Sequence, residues 1–540
     1  MRELTLRLIR IPSVNGTPEE SAFPDHLRQL LLELPAFAAG DRLQLRAIPG
    51  DPHRRRNLFA LAGEGGPTVI LSGHYDVVST RSYGALEPLA CDPTALLPAL
   101  RETLRRESGG DPLAERDLET DDWVVGRGAL DMKSGLACGI AVLERWAEAG
   151  RPGSLLLVAT PDEEGTSAGM RAAIPQIVEL CSAWDLQPVA ALNLDVTDDH
   201  GDGSDGRAVF LGSVGKLLPF VHLVGRETHA GAPPLGLNAA LMAAEVTRRV
   251  ELSPELVDET DGEVDPPPVA LHQTDSRQGY DVTTPRTAWC YYNLLRHAGS
   301  AGALFERFLG VVREAVDAAA ELTQKRGALH LRRSGDAPPP RWRPRVLTFA
   351  ELRALAGAAA ADAEGAGQDS GQDSARHSAP DATDLPERAR RVTEALWEAA
   401  GLAGPAAVVG CAGVPYAPVL VGDGTKRERR LVTAVERQAR AVGQLTGQPI
   451  RLRAFFPGIS DMSFFADGER AGDDVIAANT PGWGHAIRID REAAGRLQLP
   501  IVNIGPWGRD YHQRWERVFA PYAFRVVPEL LWRVAGDLLG

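Results

Sequence analysis

A chain of 540 residues is too long for one ordinary hydrophobic core, so two domains are expected. Its composition, 44% hydrophobic and 24% charged, is that of a globular enzyme, and a formal net charge of −14 argues against nucleic acid and anionic membranes as partners. The lysines are confined to Lys133, Lys216, Lys325 and Lys426, so arginine carries nearly all the basic charge. Cys91, Cys138, Cys181, Cys290 and Cys411 are odd in number and include no CxxC pair. They read as reduced thiols of a cytoplasmic protein, not as a disulfide framework or a zinc–thiolate site. Charges interrupt the apolar residues of "MRELTLRLIRIPSV", so it is no secretory signal, and no apolar run approaches the ~18 residues of a membrane span.

In chain order, residues 1–35 predict an amphipathic helix, a Pro/Gly/Asn turn and a second helix. Residues 68–73 (TVILSG) read as a strand, and 82–121 as a loose polar excursion. Residues 135–150 form a helix with Ser134 as its N-cap. Strands follow at 154–160 (SLLLVAT) and 189–195 (VAALNLD), with a helix at 168–180 between them, and another strand lies far downstream at 499–506 (LPIVNIGP). Runs that are apolar on both faces and alternate with helices predict an α/β fold, a mostly parallel sheet flanked by helices. The middle of the chain differs. It shows strand-like alternation at 216–230, a helix after Asn238, an aromatic-rich strand at 287–295 and a long helix at 302–326. That pattern predicts an inserted α+β domain. The expected organisation is a catalytic domain at 1–212, an inserted lid domain at 213–424 and the rest of the catalytic domain at 425–540, with joints near 212–216 and 420–430. The low-complexity segment 358–385 is expected to be a disordered surface loop.

Histidines and acids recur where these strands end. His74 closes one strand, with Asp76 two residues on, so period-2 geometry puts both on one face if the strand continues. Such a pair suits an imidazole ligand held in its tautomer by a carboxylate. Asp131 precedes a helix; Asp162, Glu163 and Glu164 follow an apolar strand; Asp195 ends another; His512 lies beyond the Gly/Pro loop after the last. Ligands of open parallel sheets bind at the carboxyl ends of the strands. Imidazole and carboxylate without thiolate suit zinc, manganese or cobalt.

The segments GHYDVV, GRGALDMKSG, DEEGTSAG, the strand-end Asp195 and GPWGRDYHQRWE occur in an order that resembles the M20 metallopeptidase family. Within it, YDVTTPRTAWCYYNLL and FFPGISDMSFF resemble the arginine-utilisation (RocB-type) branch. The resemblance implies a zinc-peptidase-like fold with a two-metal site. His74 and Asp195 would bind one ion and Glu164 and His512 the other, with Asp131 between them. Glu163 would be the general base, and Asp76 would orient His74. On an extended segment adjacent side chains diverge, so Glu164 can grip an ion while Glu163 faces water. GRETHAGAPPLGLNAA resembles the family's lid motif, which makes His229 the donor to the developing oxyanion, in dimeric members from the neighbouring subunit through the lid domain.

Each assignment has a rival. Asp131 suits a helix cap; Asp198 and Asp199 compete with Asp195; His485 competes with His512. Asp461, in GISDMSFF, is either structural or functional. GSVGK lacks phosphate-loop spacing, and GAGQDSGQDS is low complexity rather than a cofactor loop. The activity implied is hydrolysis of an amide bond in a small peptide or N-acyl amino acid, in arginine or amino-acid catabolism. The alternative is a catalytically silent binding or regulatory protein on the same scaffold.

Overall fold

A computed structural model describes residues 1–107, 111–198, 203, 207–260, 262–277, 279–334, 340–369, 384–465 and 473–540. The chain divides into two compact units. The first comprises Met1–Ser213, Val419–Gly468 and Asp490–Gly540, and the second Val214–Pro418 and Glu469–Ile489.

The first unit is built on an eight-stranded sheet in the order Leu43–Ala47, Arg56–Ala62, Ser154–Thr160, Gly66–His74, Leu186–Asn193, Ile501–Asn503, Ala208–Phe210 and Arg451–Arg453. Its centre is parallel. The Gly66–His74 strand runs parallel to both neighbours, and Leu186–Asn193 runs parallel to Ile501–Asn503. Antiparallel ladders occur at its margins. The central strands are buried along almost their whole length because helices cover both faces, which is why they read as unbroken apolar runs. Register aligns their carboxyl ends: His74 lies opposite Thr160, Ser72 opposite Asn193, and Asn193 opposite Asn503.

The Ser134–Ala149 helix packs unusually close to this edge. A Cβ on Gly135 would stand 2.1 Å from the carbonyl oxygen of Leu194, so only glycine lets the helix start there. Ser134 is the first helical residue and not its cap; its Oγ is buried without a hydrogen-bond partner.

The stretch 82–121 contains more structure than its polarity suggests, including helices Pro93–Arg106 and Pro112–Leu118. Asp92 caps the first of them through the N–H groups of Thr94 and Ala95, and Leu96, Leu100 and Leu104 recur every four residues on its buried face.

The second unit is α+β. Its sheet runs Gly215–Leu217, Thr287–Arg296, Pro219–Val224, Ala406–Cys411, Arg345–Thr348, with Val269–Asp275 also paired to Thr287–Arg296. The alternation at 219–224 is explained by two covered faces. Val221 and Leu223 pack under the helices Ala239–Val250 and Ala301–Ser334. Phe220 and Val224 pack with Phe349–Ala356 and Leu385–Ala399. Two expectations change here. Residues Ala360–Asp369 of the low-complexity segment are helical, while 370–383 lie outside the described residues. The segment Glu469–Ile489 goes with this unit and not with the catalytic part, because Ile476 joins its core.

Gly135→Ala should destabilise the protein although alanine favours helix by about 1 kcal/mol. The backbone collision costs about 1–3 kcal/mol and wins. Gly310→Ala, in a helix with nothing within 4 Å of its Cβ position, should instead stabilise by about 0.5–1 kcal/mol. Urea denaturation midpoints of the two variants, moving in opposite directions, check both.

Candidate metal centre

The aligned strand ends and the loops beside them bring together five side chains singled out in the sequence, His74, Asp131, Glu164, Asp195 and His512. His74 is the last residue of its strand and 2% exposed. Its Nδ1 lies 3.0 Å from the carbonyl of Asp76, so Nδ1 carries the proton and the Nε2 lone pair points away from the strand. That Nε2 faces Asp131 Oδ1 at 3.0 Å and Asp195 Oδ1 at 3.7 Å. His512 Nε2 faces Asp131 Oδ2 at 3.2 Å and Glu164 Oε1 at 3.0 Å. Asp131 thus gives one carboxylate oxygen to each imidazole. Two donor triads able to hold a cation result, His74–Asp131–Asp195 and Asp131–Glu164–His512.

The donor spacing fits a metal. Tetrahedral sites with ligand bonds near 2.0–2.1 Å have ligand–ligand edges of about 3.3 Å. An imidazole lone pair aimed at carboxylate oxygens 3.0–3.7 Å away is repelled unless a proton or a cation lies between them.

Electrostatics carries the same signature. Burial lowers the proton affinity of His74, but hydrogen bonding to Asp131, Asp195 and Asp76 outweighs it and holds the imidazole well above its usual range. Burial opposes and Asp131 and Glu164 raise His512, to about 11. Glu163 is pushed well above the carboxylate range by burial; His74 opposes this, and Asp195, Asp461 and Glu164 add to it. Glu164 is raised to about 7 by burial and then by Asp131. Burial also raises Asp195, while burial opposes and the two imidazoles lower Asp131.

Asp76 is wholly buried, and its Oδ1 lies 3.6 Å from His74 Nδ1. Its carboxylate also accepts the backbone N–H groups of Glu163 and Glu164, both at 3.1 Å, and the side-chain amide of Asn15 at 3.1 Å. Asp162 completes the turn. It adopts φ 67°, tolerable for Asp, and accepts from Thr166 Oγ1 at 2.6 Å and Ala168 N–H at 3.0 Å. Arg55 holds it from behind at 2.6 Å. Glu163 is left with no side-chain hydrogen bond among the described residues, although it is 8% exposed.

Asp195 follows the Leu186–Asn193 strand and is fixed through Asn503, which accepts from its N–H and donates to its carbonyl, each at 3.0 Å. A Cβ on Gly505 would fall 1.6 Å from that carbonyl oxygen, so this strand-end loop requires glycine. Asp198 lies in a short two-residue strand, and Asp199 lies outside the described residues. Asp461 is buried, with Oδ2 3.3 Å from Thr160 Oγ1, and burial raises it to about 7. No side chain caps the Ser134–Ala149 helix, so Asp131 does not act as its cap. His485 and His229 belong to the second unit, and both are exposed. His229 Nδ1 accepts the N–H of Gly231 at 3.0 Å.

Sequence reasoning missed the residues that hold the loops. Glu516, completely buried, accepts the N–H groups of Leu130 and Asp131 at 3.1 and 3.3 Å. Arg127 pairs with it at 2.5 Å and donates to the carbonyl of His512 at 3.2 Å. One ion pair therefore positions the Asp131 loop and the His512 loop together. The available signal was a charged residue inside each of two motifs, GRGALD and HQRWE.

Residues 70–488 match the family described as Peptidase family M20/M25/M40. The chain belongs to this peptidase family. As an M20 member it is a hydrolytic enzyme, and the expected α/β fold holds. The M20 chain is 30% identical over 534 residues to the uncharacterized protein YqjN of Bacillus subtilis (strain 168), covering 98% of this chain and 94% of that protein. It is 29% identical to Protein RocB of the same organism over 548 residues, 99% of this chain and 94% of that one, so the likeness to the RocB-type branch spans nearly the whole sequence. The M20 family metallo-carboxypeptidase Sso-CP2 of Sulfolobus solfataricus shares its fold at a TM-score of 0.52 and 12% identity, over 100% of this chain and 99% of that one. Among the described residues, no helix of this M20 chain is long and apolar enough to cross a membrane.

Replacing Arg127 by Met should destabilise the protein by about 3–5 kcal/mol, because it leaves the Glu516 carboxylate buried and unpaired. Chemical denaturation followed by circular dichroism measures the loss.

Proposed function

We propose that the centre holds two divalent cations and hydrolyses the amide bond of a small peptide or an N-acyl amino acid. The observation that carries the reading is the division of the Asp131 carboxylate between His74 and His512. His74 and Asp195 would hold one ion, Glu164 and His512 the other, and Asp131 both. The nitrogen–oxygen donor set suits zinc first, with manganese or cobalt as alternatives. When bound, such ions supply Lewis acidity that lowers the pKa of water toward neutrality and polarises a carbonyl.

The chain's own residues do the rest. Glu163, buried and free of side-chain partners, takes the proton of the attacking water as the new C–O bond forms. It then delivers that proton to the leaving nitrogen as the C–N bond breaks. An environment that raises the proton affinity of Glu163 suits a group that must hold a proton between two steps. Asp76 keeps the Glu163–Glu164 backbone in place while its carbonyl fixes the His74 tautomer. His229 is assigned as the donor to the developing oxyanion. Its Nδ1 is occupied as an acceptor, so Nε2 carries the hydrogen available for donation.

The five unpaired cysteines suit a reducing cytoplasm. The RocB likeness suggests amino-acid or arginine catabolism as the setting, and a homodimer formed through the second unit belongs to the same reading.

Metal-loaded protein assayed against a panel of dipeptides and N-acyl amino acids tests the activity; absence of turnover on every member would remove the reading. Glu163→Gln should retain bound metal and fold while kcat falls by about 10² to 10⁴-fold. An unchanged kcat would take the proton transfer away from Glu163. In His512→Ala, elemental analysis should find less metal per chain than in the parent protein. Full retention of both ions would exclude His512 as a ligand.

A further inference from the structure

The second unit carries a half-open cavity of about 640 Å³, within the size range of small-molecule sites. Its lining comes from the Leu385–Ala399 helix and from the strands Val269–Asp275, Thr287–Arg296 and Pro219–Val224. The helix turns Ala389, Val392 and Leu396 to the core. Its polar face contributes Glu387, Arg390, Glu394 and Glu398 to the cavity wall.

His222 lies on the floor. It is 1% exposed, sits opposite Trp289 in the strand register, and its Nδ1 has no hydrogen-bond partner. A buried polar atom left unpaired costs about 1–3 kcal/mol, and the same imidazole lines the cavity. Burial, with the charge of Arg390, lowers His222 to about 4, so the ring is neutral near pH 7 and offers one N–H and one lone pair.

The charged lining separates into satisfied and available groups. Arg390 is saturated by Glu387 at 2.6 Å and Glu394 at 2.8 Å. The guanidinium of Arg277 is used on the carbonyls of Thr283, Gly279 and Asp281. Asp275 accepts the backbone N–H of Arg277 at 2.8 Å, which leaves Arg286 and Glu398. Both are exposed, and neither has an ion-pair or side-chain hydrogen-bond partner among the described residues.

From this arrangement we infer that the cavity is a binding site, separate from the proposed metal chemistry, for a small zwitterion of the α-amino-acid type. Its carboxylate meets Arg286 and accepts a hydrogen bond from His222, and its ammonium meets Glu398. A polyanion such as a nucleotide is disfavoured by the three glutamates of the helix. A simple cation is disfavoured by Arg286, and an apolar ligand would leave all three groups unpaired.

Isothermal titration of the full chain with L-leucine and L-lysine, each compared with its N-acetyl and carboxamide derivative, tests the inference. The free zwitterions should bind, and each derivative should bind about tenfold or more weakly, the size of one lost charge-assisted hydrogen bond. Arg286→Gln should weaken the zwitterions by a similar factor and abolish discrimination against the carboxamide. Glu398→Gln should abolish discrimination against the N-acetyl form. Both side chains are exposed, so these variants should fold. Glu163→Gln and His512→Ala should leave the binding unchanged, which separates this site from the metal centre. Absence of binding at millimolar ligand overturns the inference. So does binding that survives both Arg286→Gln and Glu398→Gln, or that disappears with the metal-centre variants.

Discussion

The constraint on which the first unit depends is electrostatic: carboxyl groups gathered out of water at one sheet edge need positive charge among them. The chain supplies it in two ways. Several buried acids that serve architecture carry an arginine. Arg55 holds Asp162 at 2.6 Å and Asp51 at 2.7 Å, Arg127 holds Glu516 at 2.5 Å, and Arg517 holds Asp117 at 2.9 Å. At Asp131, Glu164 and Asp195 the charged neighbours facing the carboxylates are imidazoles presenting Nε2. A sequence so rich in arginine does not lack the means to pair these acids. Using histidine there instead keeps the oxygens available to something exchangeable, a cation or a proton, rather than to a guanidinium that never leaves.

Around that edge, hydrogen bonds turn a rigid sheet into fixed ligand positions. Ser72, Asn193 and Asn503 link three neighbouring strands side chain to side chain, at 3.1 and 3.2 Å, just below the site. Asn503 passes that order to Asp195, and Asp76 passes the end of the His74 strand to Glu163 and Glu164. The loops around Asp131 and His512 lack a strand beneath them, and the Arg127–Glu516 pair stands in for one. A displacement of about 1 Å in such groups is costly to catalysis, which explains why so many buried polar side chains support so few reacting ones.

Much of this was legible in the sequence because its signals are local. A fully buried strand must be an apolar run, so 154–160 could be read to the residue, and a candidate ligand at a strand end follows such a run, as His74 and Glu164 do. What escaped is either paired over long range or locally ambiguous. Arg127 and Glu516 lie 389 residues apart, and nothing near either one names its partner. The Pro93–Arg106 helix was hidden by polar residues on its outer face, although Asp92, Pro93 and the four-residue leucine spacing were its markers. Glu469–Ile489 crosses to the second unit because Ile476 is needed in that core, a fact of tertiary packing that composition does not record. Ser134 failed as a cap because a close-packed helix start, with Gly135 against Leu194, leaves its hydroxyl buried and unbonded.

The two units set the same side chain to opposite ends of its range. His74, buried, and His512, part-exposed, both lie against carboxylates, and the pull of those charges exceeds the cost of desolvation. His222 is buried against an apolar floor with an arginine nearby, so desolvation and repulsion act together and keep it neutral. Burial alone therefore does not say what a histidine is for; the sign of its neighbours does. An imidazole among acids is prepared to share a positive charge. One held neutral, with a buried nitrogen that has no hydrogen-bond partner, keeps one N–H and one lone pair for hydrogen bonding. On that physical ground the two kinds of histidine call for different partners, a cation or a proton for the first and a hydrogen-bonding group for the second.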